Sequence, residues 1–322
     1  VTSQTPYSTL TPDLILDALE SAGYRPTGGL TALNSYENRV YQAEMDDGSF
    51  RITKFYRPGR WTEKQIREEH DFVRELVDAE IPVVAAHEQD GNCLHAFGDF
   101  CFAVYPRQGG HTPDIEREED LEVLARTLAR MHVIGGQGRF EHRRTLSVRE
   151  FAGQNCDWLL SSGHIPLELE KAYATLTQQI IGRLQDPEAT NTIRLHGDCH
   201  LGNILWRNDT PHFVDFDDCM TGPAIQDIWM LLSGEREDRL RQLGIIADAY
   251  EMFAAFPADQ LHLIETLRTL RIINHSAWIA KRWDDPAFPL AFPDFGSVRY
   301  WSNHILELRE QLAALDEPPL IV

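Results

Sequence analysis

The sequence predicts an α+β protein of two lobes, a small mixed lobe over residues 1–105 and a larger, mainly helical lobe over residues 106–322. Strand-like alternation is concentrated before residue 105, and helical periodicity dominates after it. Between the two textures, Pro106-Arg107-Gln108-Gly109-Gly110 reads as a linker.

The elements follow in order. Thr11 caps a helix over 11–22, with Pro12 at its first position, Asp13 in its first turn and Gly23 at its end. Val40 to Ala43 and Phe50 to Tyr56 form a hairpin around Asp46-Asp47-Gly48. A helix over 62–79 places Ile66, Phe72, Val73, Leu76 and Val77 on one stripe, and short strands are expected at 83–86 and 100–105. Helical patterns then cover 116–131, 147–161, 166–185, 224–233, 236–254, 258–281 and 298–314. Strand character returns only at 193–195, 204–206 and 212–214. Gly135-Gly136-Gln137-Gly138 follows a helix, so it reads as a helix terminus and flexible connection.

Composition narrows the function classes. A chain of 322 residues, 43% hydrophobic and 25% charged, has the make-up of a globular protein. No apolar run reaches the ~18–20 residues of a membrane span. Val1 to Pro6 lacks the basic and apolar regions of a secretory signal. The net charge of −20 disfavours nucleic acid and anionic membranes as partners, and is compatible with an acidic cleft for a cationic substrate. Five scattered cysteines without a C-x-x-C pair indicate reduced thiols in a cytoplasmic protein.

The chemistry is concentrated in His196-Gly197-Asp198-Cys199-His200-Leu201-Gly202-Asn203, with Asp215 twelve residues further on. Asp198 precedes Asn203 by five residues, the offset between base and metal-binding Asn in the protein-kinase catalytic loop. A loop of this length turns Asp198 toward an incoming hydroxyl and the Asn203 amide oxygen toward Mg²⁺. Ile204-Leu205-Trp206 and Phe213-Val214 then flank a polar turn, forming a hairpin that returns Asp215 near Asn203 as a second oxygen ligand. Gly197 and Gly202 allow the tight backbone path. A competing reading makes His196, Asp198, Cys199, His200 and His212 transition-metal ligands, but it gains nothing from the Asp-to-Asn spacing. Histidines that hydrogen-bond the loop are the plainer account of His196 and His200.

The small lobe should hold a lysine for ATP phosphates and a helix carboxylate to orient it. Lys54 lies mid-strand in Arg51-Ile52-Thr53-Lys54-Phe55, on one face with Ile52. Glu69 is the favoured partner, with Glu68 the alternative. No Walker-type G-x-x-x-x-G-K-[ST] is present. Gly28-Gly29 precedes Asn34-Ser35-Tyr36-Glu37-Asn38, read as the turn before the first strand, where Ser35 can donate to a phosphate oxygen. Asp227 is placed to accept from the catalytic-loop backbone, and Asp217, Asp218, Asp284 and Asp285 to add negative charge near the acceptor.

His196-Gly197-Asp198-x-His200-x-x-Asn203 followed by Val214-Asp215 resembles the signature of the aminoglycoside-phosphotransferase and choline-kinase branch of the protein-kinase-like fold. Leu33 to Tyr41, Lys54 to Pro58, Leu195 to Trp206, Gly222 to Leu232 and Arg282 to Pro289 are similar to the bacterial stress response kinase A family. The resemblance implies a bilobal fold with an N-terminal nucleotide-binding lobe and a C-terminal catalytic lobe. It also implies an ATP- and Mg²⁺-dependent serine/threonine protein kinase of the cytoplasm, acting in stress responses. By the same similarity Asp198 is the proton acceptor, Asn203 and Asp215 bind Mg²⁺, and Ser35 marks the ATP site; Lys54 and Glu69 are the expected nucleotide-binding pair beside it, and Asp215 is counted with Asp198 as catalytic. The expected partners are protein substrates with Ser or Thr acceptors, with no nucleic acid and no membrane, and the chain is expected to act as a monomer. A small-molecule kinase for aminoglycosides, choline or other amino alcohols is the alternative, and a nucleotide-sensing protein a further one.

Overall fold

A computed structural model describes residues 5–322, so Val1 to Gln4 of the N-terminal signal reading lie outside the described residues. The chain folds as two compact units. The first contains the described residues through Asp114 together with Glu141–Arg143 and His200–Asp218; the second contains Ile115–Phe140, Arg144–Cys199 and Cys219–Val322.

In the first unit, Thr11 accepts from the Leu14 N–H and starts α1 (Pro12–Ser21). Strands β1 (Pro26–Ala32), β2 (Arg39–Met45) and β3 (Phe50–Phe55) follow. Next come α2 (Glu63–Asp78), opened by a Thr62–Gln65 capping box, and strands β4 (His95–Phe97) and β5 (Phe100–Pro106). The five strands form one antiparallel sheet in the order β1-β2-β3-β5-β4. Alternation along the strands divides two apolar faces. Ile15, Ala18 and Leu19 of α1 pack with Ala43, Phe55, Phe102 and Val104 in one core, while Ile66 of α2 packs with Tyr56, Leu94 and Ala103 in another. Lys54 pairs across the ladder with Ala103.

The second unit begins with α3 (Glu118–Gly135), a π-helical turn at Arg149–Gly153 leading into α4 (Gln154–Ser162), α5 (Leu167–Ile181) and β6 (Ile193–Leu195). The chain then returns to the first unit as the hairpin β7 (Ile204–Arg207) and β8 (Thr210–Phe213). Its tip, Asn208-Asp209, has φ of 51° and 55°, the left-handed pair of a type I′ turn. The second unit resumes with β9 (Met220–Gly222), which pairs with β6. It is completed by α6 (Ile225–Trp229), α7 (Arg236–Tyr250), α8 (Ile264–Ala280), α9 (Ala287–Ala291) and α10 (Val298–Ala314).

Several expectations change. Residues 26–32 form the first strand, so Asn34 to Asn38 is the turn between the first and second strands. The strand escaped notice because Gly28-Gly29 sits where the β1–β2 register shifts, between Pro26 and Leu30. Residues 83–86 form no strand: Val83 makes a single parallel bridge to Phe213. The hairpin assigned by sequence to the helical lobe packs with the first unit, which extends to Asp114 rather than 105. Backbone bonds explain this, since Phe213 exchanges with Pro82 and Val84 while Trp206 exchanges with His111.

The 135–138 glycines are packed rather than free. A Cβ on Gly135 would lie 2.2 Å from the Arg194 carbonyl oxygen. The buried Arg194 donates to the Ile134 and Gly135 carbonyls at the end of α3. All five cysteines are free thiols. Among the described residues no helix is long and apolar enough to cross a membrane.

Candidate active site

In the first unit the site is built around Lys54, which is 8% exposed. Its Nζ lies 3.7 Å from Glu69 Oε1 and 3.4 Å from Asp215 Oδ1, and it donates to Asp217 Oδ1 in the tightest of the three contacts. The rings of Tyr56 and Tyr105 flank the ammonium at 5.1 and 5.6 Å. Burial opposes the charge on Lys54, but Asp217 and the other anions outweigh it and hold its pKa well above the ordinary lysine value.

Strand β3 and helix α2 select the partner. Glu69 is 2% exposed and also faces Arg143 Nη2 at 3.6 Å. Burial pushes its carboxyl up to about 7, against the pull of Lys54. Glu68, one position along the helix, points elsewhere and accepts the backbone N–H groups of Glu141, His142 and Arg143 at 2.6–3.1 Å. The alternative is thereby decided for Glu69.

Asp217, expected to add negative charge near the acceptor, is instead a buried hub paired with Lys54. It accepts from Lys54 and from the Asn38 side chain, lies 3.7 Å from Arg60, and its backbone oxygen accepts from Arg143 at 2.6 Å. Although burial opposes ionisation, Lys54 and Arg60 outweigh it and lower the Asp217 carboxyl to about 2. Asp218 pairs with Arg60 at 2.7 Å, and the buried Asp285 accepts from the Ala287 N–H at the start of α9. These three are structural carboxylates; Asp284 is exposed. The only advance sign for Asp217 was its place two residues after Asp215.

Asn38 also accepts from the Arg57 N–H, which fixes the end of the β1–β2 turn. Ser35 lies half-buried in that turn and has no side-chain hydrogen bond to a described residue.

The hairpin brings Asn203 beside the approach to Asp215. The Val214 N–H donates to the Asn203 carbonyl at 3.0 Å, and Ile204 pairs with Phe213. Asp215 itself has φ of 61°, a left-handed conformation uncommon for non-glycine residues. Dense surroundings raise its carboxyl pKa despite Lys54, yet 53% of its side chain is accessible. The accessible Asp215 carboxylate and the Asn203 side-chain amide, carried on chain segments joined by the Val214–Asn203 backbone bond, offer oxygen donors of the kind that Mg²⁺ takes. The competing transition-metal set is not assembled. Among the described residues no three His, Cys, Asp or Glu side chains converge as a metal cluster. Burial also raises the Cys199 thiol well above its usual range, which opposes thiolate ligation.

In the second unit, α6 holds the loop that carries Asp198. The fully buried Asp227 accepts from the His196 N–H and the Gly197 N–H, both at 2.9 Å, as its position suggested. Gln226 donates to the Gly197 carbonyl at 3.0 Å. Gly197 has φ of 83°, so this path favours glycine. His132 Nε2 stands 3.3 Å from Asp227, and its other ring nitrogen meets the Tyr250 hydroxyl at 2.9 Å. The histidines of the motif bind the loop itself. His196 Nδ1 accepts from the Asp198 N–H at 3.3 Å, and His200 Nδ1 from the Gly202 N–H at 3.0 Å. The Asp198 carboxylate is paired with Arg271 of α8, a residue the sequence did not single out.

Residues 29–262 match the Phosphotransferase enzyme family. The chain is 43% identical over 316 residues to stress response kinase A of Escherichia coli (strain K12), covering 98% of this chain and 96% of that protein. It is 41% identical over the same shares to the serine/threonine protein kinase RdoA of Salmonella typhimurium. Among solved structures, an amicoumacin kinase in complex with AMP-PNP and Ca²⁺ superposes with TM-score 0.71 at 20% identity, over 96% of this chain and 94% of that one. A microcompartment-associated aminopropanol kinase gives 0.68 at 18%, over 95% and 97%. At these identities the structural likeness speaks for the fold.

Proposed function

This chain belongs to the phosphotransferase enzyme family, in its stress response kinase A group, and we propose that it moves the γ-phosphoryl of ATP, with Mg²⁺, to serine or threonine hydroxyls of proteins. It is a kinase. The observation that carries phosphoryl transfer is the joining of Lys54, Glu69 and Asp215 around one buried ammonium, with Asn203 bonded through its backbone to Val214. Protein acceptors are supported by the extent of identity to relatives named as stress response or serine/threonine protein kinases.

In this reading Lys54 holds the α and β phosphates and Glu69 orients it. Asn203 and Asp215 would hold Mg²⁺, which when bound would offset the negative charge of the phosphates. Asp198 accepts the hydroxyl proton as that oxygen bonds to the γ-phosphorus, and the bond to the β-phosphate oxygen breaks to release ADP. The Asp227 contacts fix the loop backbone, so the carboxylate is oriented before the acceptor arrives. Ser35 acts from the β1–β2 turn as a hydrogen-bond donor to a phosphate oxygen. A cytoplasmic location, supported by free thiols, and the absence of nucleic-acid or membrane partners, supported by a net charge of −20, complete the proposal, together with a monomeric state.

The test supplies labelled ATP and Mg²⁺ with generic protein substrates beside choline, aminopropanol and aminoglycosides. Labelled phosphoserine or phosphothreonine is expected, and Asp215→Asn should require more Mg²⁺ for nucleotide binding. Label only on amino alcohols would favour a small-molecule kinase, the activity named for two structural neighbours. An Asp215→Asn protein with the wild-type Mg²⁺ titration would remove that residue from the metal site.

A further inference from the structure

Within the second unit, Asp198 shares its carboxylate with a cation. Arg271 pairs with it, and the two side chains remain 43% and 26% exposed respectively. Arg271 also lines a cavity of about 690 Å³ with His275, Asp294, Arg299, Asn303 and Glu307. That volume is sufficient for a small molecule or a few peptide residues.

The charge beside the base decides what this cavity accepts. Burial pushes the His275 pKa below its ordinary value, and Arg271 pushes the same way, so this imidazole adds no positive charge near neutral pH. Asp294 and Glu307 supply acidic positions, and Glu307 stands 3.8 Å from His304. Arg299 has no ion-pair partner among the described residues. The selectivity therefore turns on the group touching the base, which is Arg271. A cationic acceptor reaching Asp198 meets this guanidinium and is repelled. An anionic acceptor competes with Asp198 for the guanidinium, whose planar fork suits carboxylate and phosphate. Exchange of partner frees Asp198 for the hydroxyl proton.

We propose that this cavity is an acceptor subsite for hydroxyl substrates with a carboxylate or phosphate next to the reacting hydroxyl, and that Arg271 passes from Asp198 to that anion. For a protein substrate, this means serine or threonine flanked by acidic or phosphorylated residues. The inference rests on the kinase reading of Asp198 and adds the charge of the acceptor.

The experiment uses the full chain with Mg²⁺ and ATP. Serine/threonine peptide pools carry Asp and Glu, phosphoserine, Gln, or Lys beside the acceptor; glycerate and ethanolamine form a small-molecule pair. The anionic-to-cationic ratio in kcat/KM should be roughly tenfold or more, the worth of one charge-assisted hydrogen bond. Arg271→Gln should bring the ratio toward one, and Arg271→Lys should restore part of it. Because each ratio is taken within one protein, partial loss of folded material cancels. Comparison of the acidic and phosphoserine pools distinguishes carboxylate from phosphate. A wild-type ratio of one or less, a ratio indifferent to Arg271→Gln, or no turnover of any anionic acceptor overturns the proposal. Turnover of glycerate without any peptide retains the anion rule and overturns the protein-kinase reading, so the two failures are distinct.

Discussion

Around Lys54 in the first unit, buried anions are held by buried cations; around Asp227 in the second, a buried anion is held by backbone N–H groups of the loop that carries Asp198. Side-chain ion pairs can exchange partners, so phosphate oxygens can take a place that a carboxylate holds beside Lys54. Backbone donors cannot be exchanged without moving the loop. The first arrangement suits a ligand-binding centre and the second suits a base that must keep its direction.

The sharpest test of this contrast is Asp198 itself. Asp198→Asn should reduce turnover by roughly 10²–10⁴-fold while ATP affinity stays near wild type. Initial rates and nucleotide titration check both, and full activity in that variant would dismiss the base. Asp227→Ala comes next, because it leaves the His196 and Gly197 N–H groups unsatisfied in a buried place. A loss of about 3 kcal/mol in urea unfolding is expected, from about 1–3 kcal/mol for each orphaned group. Asp227→Asn, which keeps an acceptor oxygen, should lose less. Equal losses would mean that the loop does not depend on those bonds.

Asp217→Asn probes the exchangeable side and should raise KM for ATP by roughly tenfold with less change in kcat, since Lys54 loses its closest anion. The same variant should change the acid limb of stability. The Asp217 carboxyl is lowered from 3.8 to about 2, so its stabilisation is present above pH 3.8 and disappears as the pH falls through 2. Stability of the wild type minus that of Asp217→Asn should therefore shrink across that window. A difference flat with pH would separate Asp217 from Lys54. Glu68→Gln is expected to have the smallest effect, within about 1 kcal/mol because Gln keeps one acceptor oxygen for the 141–143 backbone, and with ATP kinetics unchanged.

Much of this centre was legible because kinase chemistry imposes fixed spacing along the chain. Asp198, Asn203 and Asp215 lie on one loop and hairpin, and Lys54 stands out as a charge in an apolar strand. Asp217 was misread because burial depends on partners distant in sequence: Asn38 and Lys54 lie 179 and 163 positions away. Arg271 was invisible for the same reason, being an ordinary helix arginine until α8 meets Asp198, 73 positions earlier. Strand β1 was hidden by its glycines, and 83–86 was overread because an apolar run can pair at one residue instead of forming a ladder.

The sequence by itself determined the α+β division, the α1, α2 and α10 helices and the order of the chemical groups, because caps, periodicity and motif spacing are local. Only the tertiary structure decided that Glu69 rather than Glu68 reaches Lys54, that Asp217 is buried with it, that the β7–β8 hairpin joins the first unit, and that Arg271 pairs with Asp198. Each of these depends on which surfaces meet after the chain has turned back on itself, and desolvation then fixes which charges must be paired.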